Sequence, residues 1–112
     1  MFETFEQYIK DKVSISTKDL EHLRSTSEIR RLTKGEHLLK EGEVWKWRAF
    51  IIKGLLRTYR TDNNGNEHTI RFAMEDWWVG DGESYHSGEP SVYNIDTLEN
   101  SEVLLWKRNH EF

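Results

Sequence analysis

The chain has no cysteine and only one proline among its 112 residues. Without cysteine it can form no disulfide and no thiolate metal site, and it can use no Cys nucleophile. No apolar run approaches the roughly 20 residues that span a bilayer, and the N-terminus lacks the basic and apolar regions of a secretory signal. We therefore expect a cytoplasmic protein of one domain, residues 1–112, that makes no contact with a membrane.

The chain also lacks an excess of positive charge. The chain carries 16 Lys and Arg against 20 Asp and Glu, a formal net charge of -4. Domains that bind nucleic acid have the opposite balance, because they must neutralise phosphates. The composition therefore predicts no DNA contact by this chain alone.

Aromatic residues are plentiful, with five Trp, five Phe and four Tyr in a chain whose mean hydropathy is -0.82. Their rings must supply much of the core. At the N-terminus, apolar residues recur at steps of three and four: Phe2, Phe5, Ile9 and Val13. This spacing predicts an amphipathic helix, and Ser16 followed by Asp19 predicts a capped second one. Residues 1–26 are thus expected to form a helical lead.

From residue 29 the period becomes that of strands, with Gly35, Gly42 and Gly54 between short apolar runs. We expect a mainly β roll over residues 29–106. Asn64-Gly65 lies between two alternating runs, which is the strongest short-range signal of a hairpin. On its second arm we expect one set of alternate residues to face inward: His68, Ile70, Phe72 and Met74.

The stretch from Leu32 to Arg57, with Lys-Gly, Glu-Gly and Lys-Gly-x-Leu-Arg at successive strand ends, resembles the cyclic-nucleotide-binding domain of Crp/Fnr-type transcription regulators. Phe72-x-x-Glu-x-Trp-Trp and Asp81-x-x-Ser resemble motifs of the branch of these regulators that is common in Bacteroidetes. The resemblance implies a double-stranded β-helix, or jelly roll, with N-terminal helices. It implies an effector-sensing domain, and because the chain ends at Phe112 we expect it to lack the C-terminal helix-turn-helix.

In members that bind cyclic AMP, a Gly-Glu pair at the start of a short helix and a later Arg-Ser/Thr-Ala hold the phosphate. The resemblance places the second motif on Ser91-Val92-Tyr93, without the arginine, and the first on Gly80-Asp81 or Gly82-Glu83. It therefore implies a degenerate cassette with an unknown effector, no cofactor, and no useful binding of cyclic AMP. The candidate ligand-binding residues are Gly80, Asp81, Gly82, Glu83, Ser84, Ser91, Val92 and Tyr93.

Two other functions stay open. Trp45, Trp47 and Trp106 are larger, and Gly82 and His86 smaller or more polar, than the resemblance predicts, a pattern that natural drift or an engineered pocket would leave. In a repurposed pocket, His86, Glu83 or Asp81 would act as acid or base. No two histidines lie two or four residues apart, so no metal site is expected. A structural homodimer is the third possibility, because one ring of Trp77-Trp78 must point outward from an extended segment.

Overall fold

A helical lead and eight short strands make up the part of the chain that the computed structural model describes, residues 1–108. The helices are α1 (Phe2–Lys12), α2 (Thr17–Thr26) and α3 (Gly82–Ser87). The strands are β1 (Ser27–Leu32), β2 (His37–Leu39), β3 (Trp47–Lys53), β4 (Leu56–Thr61), β5 (Glu67–Ala73), β6 (Trp78–Val79), β7 (Asn94–Thr97) and β8 (Ser101–Lys107). The first strand thus begins two residues before the predicted start of the roll.

The strands form two four-stranded sheets, with the order β1-β8-β3-β6 in the first and β2-β7-β4-β5 in the second. Every pairing in both sheets is antiparallel. The chain crosses from one sheet to the other at every connection between consecutive strands except the β4–β5 hairpin. The mainly β jelly roll with N-terminal helices that the sequence predicts is confirmed.

The main core lies between the two sheets. Most of its members are buried aliphatic residues contributed by both inner faces, among them Leu39, Ile51, Leu56, Ile95, Val103 and Leu105. Tyr85 of α3 enters this core and is only 4% exposed. Its hydroxyl is buried and has no hydrogen-bond partner within residues 1–108. An unpaired buried hydroxyl destabilises a fold, because it has lost its bonds to water.

A second core joins the helices to the outer face of the first sheet. Phe5 of α1 packs on Trp106 of β8 with ring centroids 4.7 Å apart, and the Trp106 indole donates a 2.9 Å hydrogen bond to the carbonyl of Leu23 in α2. Trp106 is larger than the resemblance predicts because its ring fills the space between the two helices and the sheet. The expectation for the Trp pair is also confirmed, since Trp78 packs in this core and Trp77 is 46% exposed.

The β4–β5 hairpin turns at the predicted position. Gly65 has a φ of 83°, and the Asp62 carboxylate accepts the backbone N–H groups of Asn64 and Asn66 at 2.9 Å each. The His68 imidazole lies 2.8 Å from the other Asp62 oxygen. The imidazole and these N–H groups lower the pKa of Asp62 to about 2.

The prediction that one face of β5 points inward is wrong. Every residue from Glu67 to Phe72 is exposed and only Ala73 is buried. Ile70, Phe72 and Met74 are each more than half exposed. The register shifts by a bulge opposite Thr58 and Tyr59, so the two-residue alternation does not run through the strand. β5 is also the edge strand of its sheet. Most of it extends beyond the core, so neither of its faces is buried.

We predict that Gly65→Ala lowers the free energy of unfolding by about 1 kcal/mol, because an L side chain resists positive φ. A Cβ there would meet no heavy atom of the described chain within 4 Å, so the loss reports on the backbone alone. Gly82→Ala is the matched control, since Gly82 is equally open but lies in α3 without a positive φ. Urea unfolding measures both, and equal effects would contradict the assignment of the turn.

We predict that Tyr85→Phe leaves the free energy of unfolding unchanged or raises it by about 1 kcal/mol, because it removes an unpaired buried hydroxyl. Tyr59→Phe is the matched comparison. The Tyr59 hydroxyl lies 2.7 Å from His37 Nε2, so its loss should cost about 1 kcal/mol. A larger loss at Tyr85 than at Tyr59 in thermal unfolding would show that the Tyr85 hydroxyl has a partner.

Candidate functional site

The short helix α3 stands at the predicted cassette. Asp81 precedes it, and its Oδ1 accepts the backbone N–H groups of Glu83 at 3.2 Å and Ser84 at 3.3 Å. At the other end Gly88 takes a φ of 78° and donates its N–H to the Ser84 carbonyl. Asp81 is thus the N-cap and Gly88 the left-handed terminator of the helix, a pairing that lets six residues form a helix of their own.

The second oxygen of Asp81 is also occupied. Ser91 donates its hydroxyl to Asp81 Oδ2 at 2.6 Å and accepts the Tyr93 N–H at 3.0 Å. Asp81 is 9% exposed and Ser91 is 2% exposed. Burial of a carboxylate is tolerated only when hydrogen bonds replace its hydration, and here three donors do so.

The β2–β3 loop, residues 40–46, is bound to this cluster along its length. Gly42 donates its N–H to the Ser91 carbonyl and Ser91 donates its own to Glu43, each at 2.8 Å. Trp45 donates its N–H to Ser84 Oγ at 2.9 Å, and that hydroxyl donates onward to the Glu89 carbonyl at 2.6 Å. The loop and the cassette therefore form one hydrogen-bonded unit.

The two cassette glycines have different surroundings. A Cβ on Gly80 would lie 2.4 Å from the Trp45 indole nitrogen, so the space that this glycine leaves is filled by the Trp45 ring, which is 3% exposed. Gly82 is exposed, and a Cβ there would have no described heavy atom within 4 Å. The large Trp45, unexpected from the resemblance, thus fits the absent side chain of Gly80.

The predicted ligand-binding residues divide among three places. One cavity of about 150 Å³ is lined by Asp81, Glu83, Ser84, Ser87, Glu89, Pro90, Val92 and Tyr93. Gly80 and Gly82 line a neighbouring cavity of about 210 Å³, together with His86. Ser91 is buried and reaches neither lining. The first cavity, called the cassette cavity below, therefore unites five of the eight.

The cassette cavity is acidic and small. Its lining includes the carboxylates of Asp81, Glu83 and Glu89 and, among residues 1–108, no Lys or Arg. Arg60 lies beside it, with its guanidinium carbon 5.9 Å from the centroid of the Tyr93 ring. Pockets for small molecules usually measure roughly 300 to 1,000 Å³, so this volume is about half of the lower bound. A negatively charged ligand would meet both repulsion and lack of room.

In the part of the chain that the structure describes, His86 is not hydrogen-bonded to Asp81 or Glu83, the other two residues proposed as acid or base in a repurposed pocket. Asp81 bonds to Ser91 and to the α3 backbone, while His86 is exposed and lies edge-on to Tyr85 with ring centroids 5.2 Å apart. Within residues 1–108, no hydrogen bond connects His86 with Asp81 or Glu83, so no acid–base relay is formed. In the same residues, no group of three or more His, Asp or Glu side chains is arranged to hold a metal ion.

A polar network joins three strands of the second sheet. Arg57 of β4 donates two hydrogen bonds to Asp96 of β7, of 2.9 and 3.1 Å. It donates a third to Glu67 of β5 at 3.0 Å. Its guanidinium lies 4.1 Å from the Tyr59 ring centroid. The bonds to Asp96 above all raise the pKa of Arg57, and burial above all raises the pKa of Tyr59. The Arg57 to Glu67 pair is visible in the hairpin, but Asp96 depends on the β4–β7 register.

Comparison with known proteins agrees with this architecture. The family described as "Cyclic nucleotide-binding domain" matches residues 29–110. No curated protein matches the chain at a significant level. Within residues 1–108, no helix is long and apolar enough to cross a membrane.

Solved structures of two bacterial regulators share the fold. DNR from Pseudomonas aeruginosa superposes with a TM-score of 0.77 at 19% identity over 86% of this chain and 42% of its own. The Catabolite Activator Protein of Thermus thermophilus gives 0.72 at 18% identity over 87% of this chain and 45% of its own.

A eukaryotic structure is also similar. The regulatory subunit of a cAMP-independent protein kinase A from Trypanosoma cruzi, bound to guanosine, gives a TM-score of 0.78 at 16% identity over 96% of this chain and 39% of that one. The chain thus spans less than half the length of each of these three proteins. Its jelly roll, its α3 segment and the family match over residues 29–110 lead to one conclusion: this chain belongs to the cyclic nucleotide-binding domain family.

Proposed function

We propose that this chain is the effector-sensing domain of a Crp/Fnr-type transcription regulator, with a degenerate nucleotide cassette and an effector other than cyclic AMP. Membership of the family and the structural similarity to two bacterial regulators support the sensing role. The DNA-binding part would be supplied by a separate module, because this chain is acidic. The domain would act in the cytoplasm, and the exposed Trp77 would suit it to a homodimer.

The position of the Asp81 carboxylate carries the proposal. The N–H groups at the start of a helix are the natural site for a phosphate, and here those of Glu83 and Ser84 already bond to Asp81. A cyclic phosphate would have to displace a buried carboxylate from its three donors. In this proposal, the Asp81 side chain occupies the position that the phosphate of a nucleotide would need.

The missing arginine adds to this obstacle. Ser91 stands where the resemblance places the arginine that binds phosphate, and its hydroxyl is committed to Asp81. A hydrogen bond to a charged group is worth about 1.5 to 3 kcal/mol, and the carboxylates of Glu83 and Glu89 replace that attraction with repulsion. Tight binding of a nucleotide phosphate is therefore disfavoured by both charge and geometry.

An uncharged effector avoids these obstacles. The trypanosomal subunit of the same fold is bound to guanosine, which carries no phosphate. Carboxylates such as Glu83 and Glu89 could accept hydrogen bonds from hydroxyl or amino groups. A nucleoside exceeds the 150 Å³ of the cassette cavity, so its binding would require α3 to move outward. We include uncharged nucleosides among the candidate effectors for this reason.

We predict that isothermal titration with millimolar cyclic AMP gives no saturable heat, for the reasons of charge and geometry above. A family member known to bind the nucleotide, titrated in the same buffer, is the positive control. Guanosine is titrated in parallel to test the uncharged class. A micromolar dissociation constant for cyclic AMP would overturn the degenerate cassette.

We predict that Asp81→Ala lowers the free energy of unfolding by about 2 kcal/mol or more, because it removes a helix cap and leaves the proton of the buried Ser91 hydroxyl without an acceptor. Glu83→Ala is the matched control, since it removes an exposed carboxylate two residues away and should change stability by less than about 0.5 kcal/mol. Chemical unfolding and hydrogen exchange at the Ser84 amide report both. Equal losses in the two variants would show that Asp81 does not organise the cassette.

A further inference from the structure

Four large apolar side chains are exposed within the eight residues from Ile70 to Trp77. Ile70, Phe72 and Met74 are each more than half exposed, and Trp77 is 46% exposed. A singly exposed apolar residue is ordinary, but a group of them on a soluble protein marks a surface that contacts another molecule. We call these four residues the edge patch, because they follow the open edge of β5 and the turn after it.

Backbone geometry keeps the members of the edge patch close together. Two residues of extended chain span at most about 7 Å, which limits the Cα distances from Ile70 to Phe72 and from Phe72 to Met74. The Trp77 N–H then donates to the Met74 carbonyl at 3.1 Å. This bond closes a β-turn, in which the first and last Cα atoms lie within about 7 Å of each other. The edge patch is therefore one continuous surface segment.

The turn that carries Trp77 is fixed to the first sheet. The Asp76 N–H donates to the Ile51 carbonyl and the Ile51 N–H donates to the Trp77 carbonyl, each at 2.9 Å. Asp76 takes a φ of 67° in this turn. A surface that is already ordered loses little conformational entropy when it binds. Trp77 is therefore held in an exposed position before any partner arrives.

The apolar area of the edge patch is close to what a small dimer needs. A large side chain has roughly 150 to 250 Å² of surface, so four half-exposed ones leave about 300 to 500 Å² in contact with water. A standard interface buries about 800 Å² on each partner, and about 60% of that area is apolar. The edge patch can therefore supply most of the apolar part of such an interface.

The charges of this segment are arranged symmetrically about Ala73. Arg71 lies two residues before Ala73 and Glu75 lies two residues after it. Both are exposed, and within residues 1–108 neither is in an ion pair. Arg71 donates to the Trp78 carbonyl at 3.3 Å, and Glu75 accepts the Gly54 N–H at 3.4 Å. Opposite charges placed equally about a centre are complementary to a second copy of the same segment that runs the other way.

We propose that the edge patch is the contact between two copies of this chain, related by a two-fold axis beside Ala73. Arg71 of one copy faces Glu75 of the other. Phe72 faces Met74 in the same way, and the axis makes each contact twice. Side chains form this contact, because the bulge in β5 disrupts a continuous backbone ladder along the edge. The surface develops the homodimer that the proposed function includes, and it does not require the sensing role.

Analytical ultracentrifugation of the chain without any effector tests the dimer. We expect a monomer–dimer equilibrium between roughly 10 μM and 1 mM, because an interface of this size is at the weak end of specific contacts. Phe72→Ser with Met74→Ser should weaken the dimer about tenfold or more. Val13→Ser with Ile29→Ser removes exposed apolar side chains outside the edge patch and should leave the dimer unchanged. A monomer at 1 mM, or equal loss in the two pairs, would overturn the proposal and leave the surface to a different partner.

Charge reversal tests the two-fold arrangement. Arg71→Glu alone and Glu75→Arg alone should each weaken the dimer about tenfold, because like charges then face each other at two equivalent places. Both substitutions in one chain restore opposite charges across the axis and should return the dissociation constant to within about threefold of the original. Thermal unfolding verifies that each variant is folded. A double variant as weak as either single one would contradict this axis. Since no effector is present, loss of the dimer leaves the sensing role standing, and failure of the effector titrations leaves the dimer standing.

Discussion

The buried carboxylate of Asp81 is the constraint on which the functional end of this molecule depends. A carboxylate that is 9% exposed must find donors within the protein or remain unstable. Its three donors come from two segments, the first turn of α3 and Ser91. To satisfy one side chain, the chain must bring these segments together, and Ser91 in turn holds the β2–β3 loop. The same bonds that build the first turn of α3 also occupy two of its backbone N–H groups.

Much of the fold could be predicted from the sequence, because its signals are local. The spacing of Phe2 and Phe5 and the Asn64-Gly65 turn depend on neighbours within a few residues, and the structure has a helix and a hairpin at these positions. The face of β5 could not be predicted. Its apolar and polar residues alternate regularly in the sequence. The bulge, however, arises from pairing with β4, and the edge position of the strand depends on the order of the sheet.

The segment proposed as the site could be chosen from the sequence, but its internal contacts could not. Gly80 and Asp81 mark the cassette, yet the order of residues does not reveal that Trp45 fills the space beside Gly80 or that Ser91 bonds to Asp81. Both contacts join segments that meet only when the sheets close. The Arg57 to Asp96 pair, 39 residues apart in the chain, is hidden for the same reason.

The contact between Gly80 and Trp45 has a consequence for how this sequence can change over evolutionary time. Any side chain at position 80 would collide with the indole, whose nitrogen lies 2.4 Å from the place of a Cβ, and a smaller residue at position 45 would leave a void in the core. Neither position can therefore drift alone without loss of stability. In descendants of this sequence the two positions should change together. A side chain gained at position 80 should be accompanied by a smaller residue at position 45.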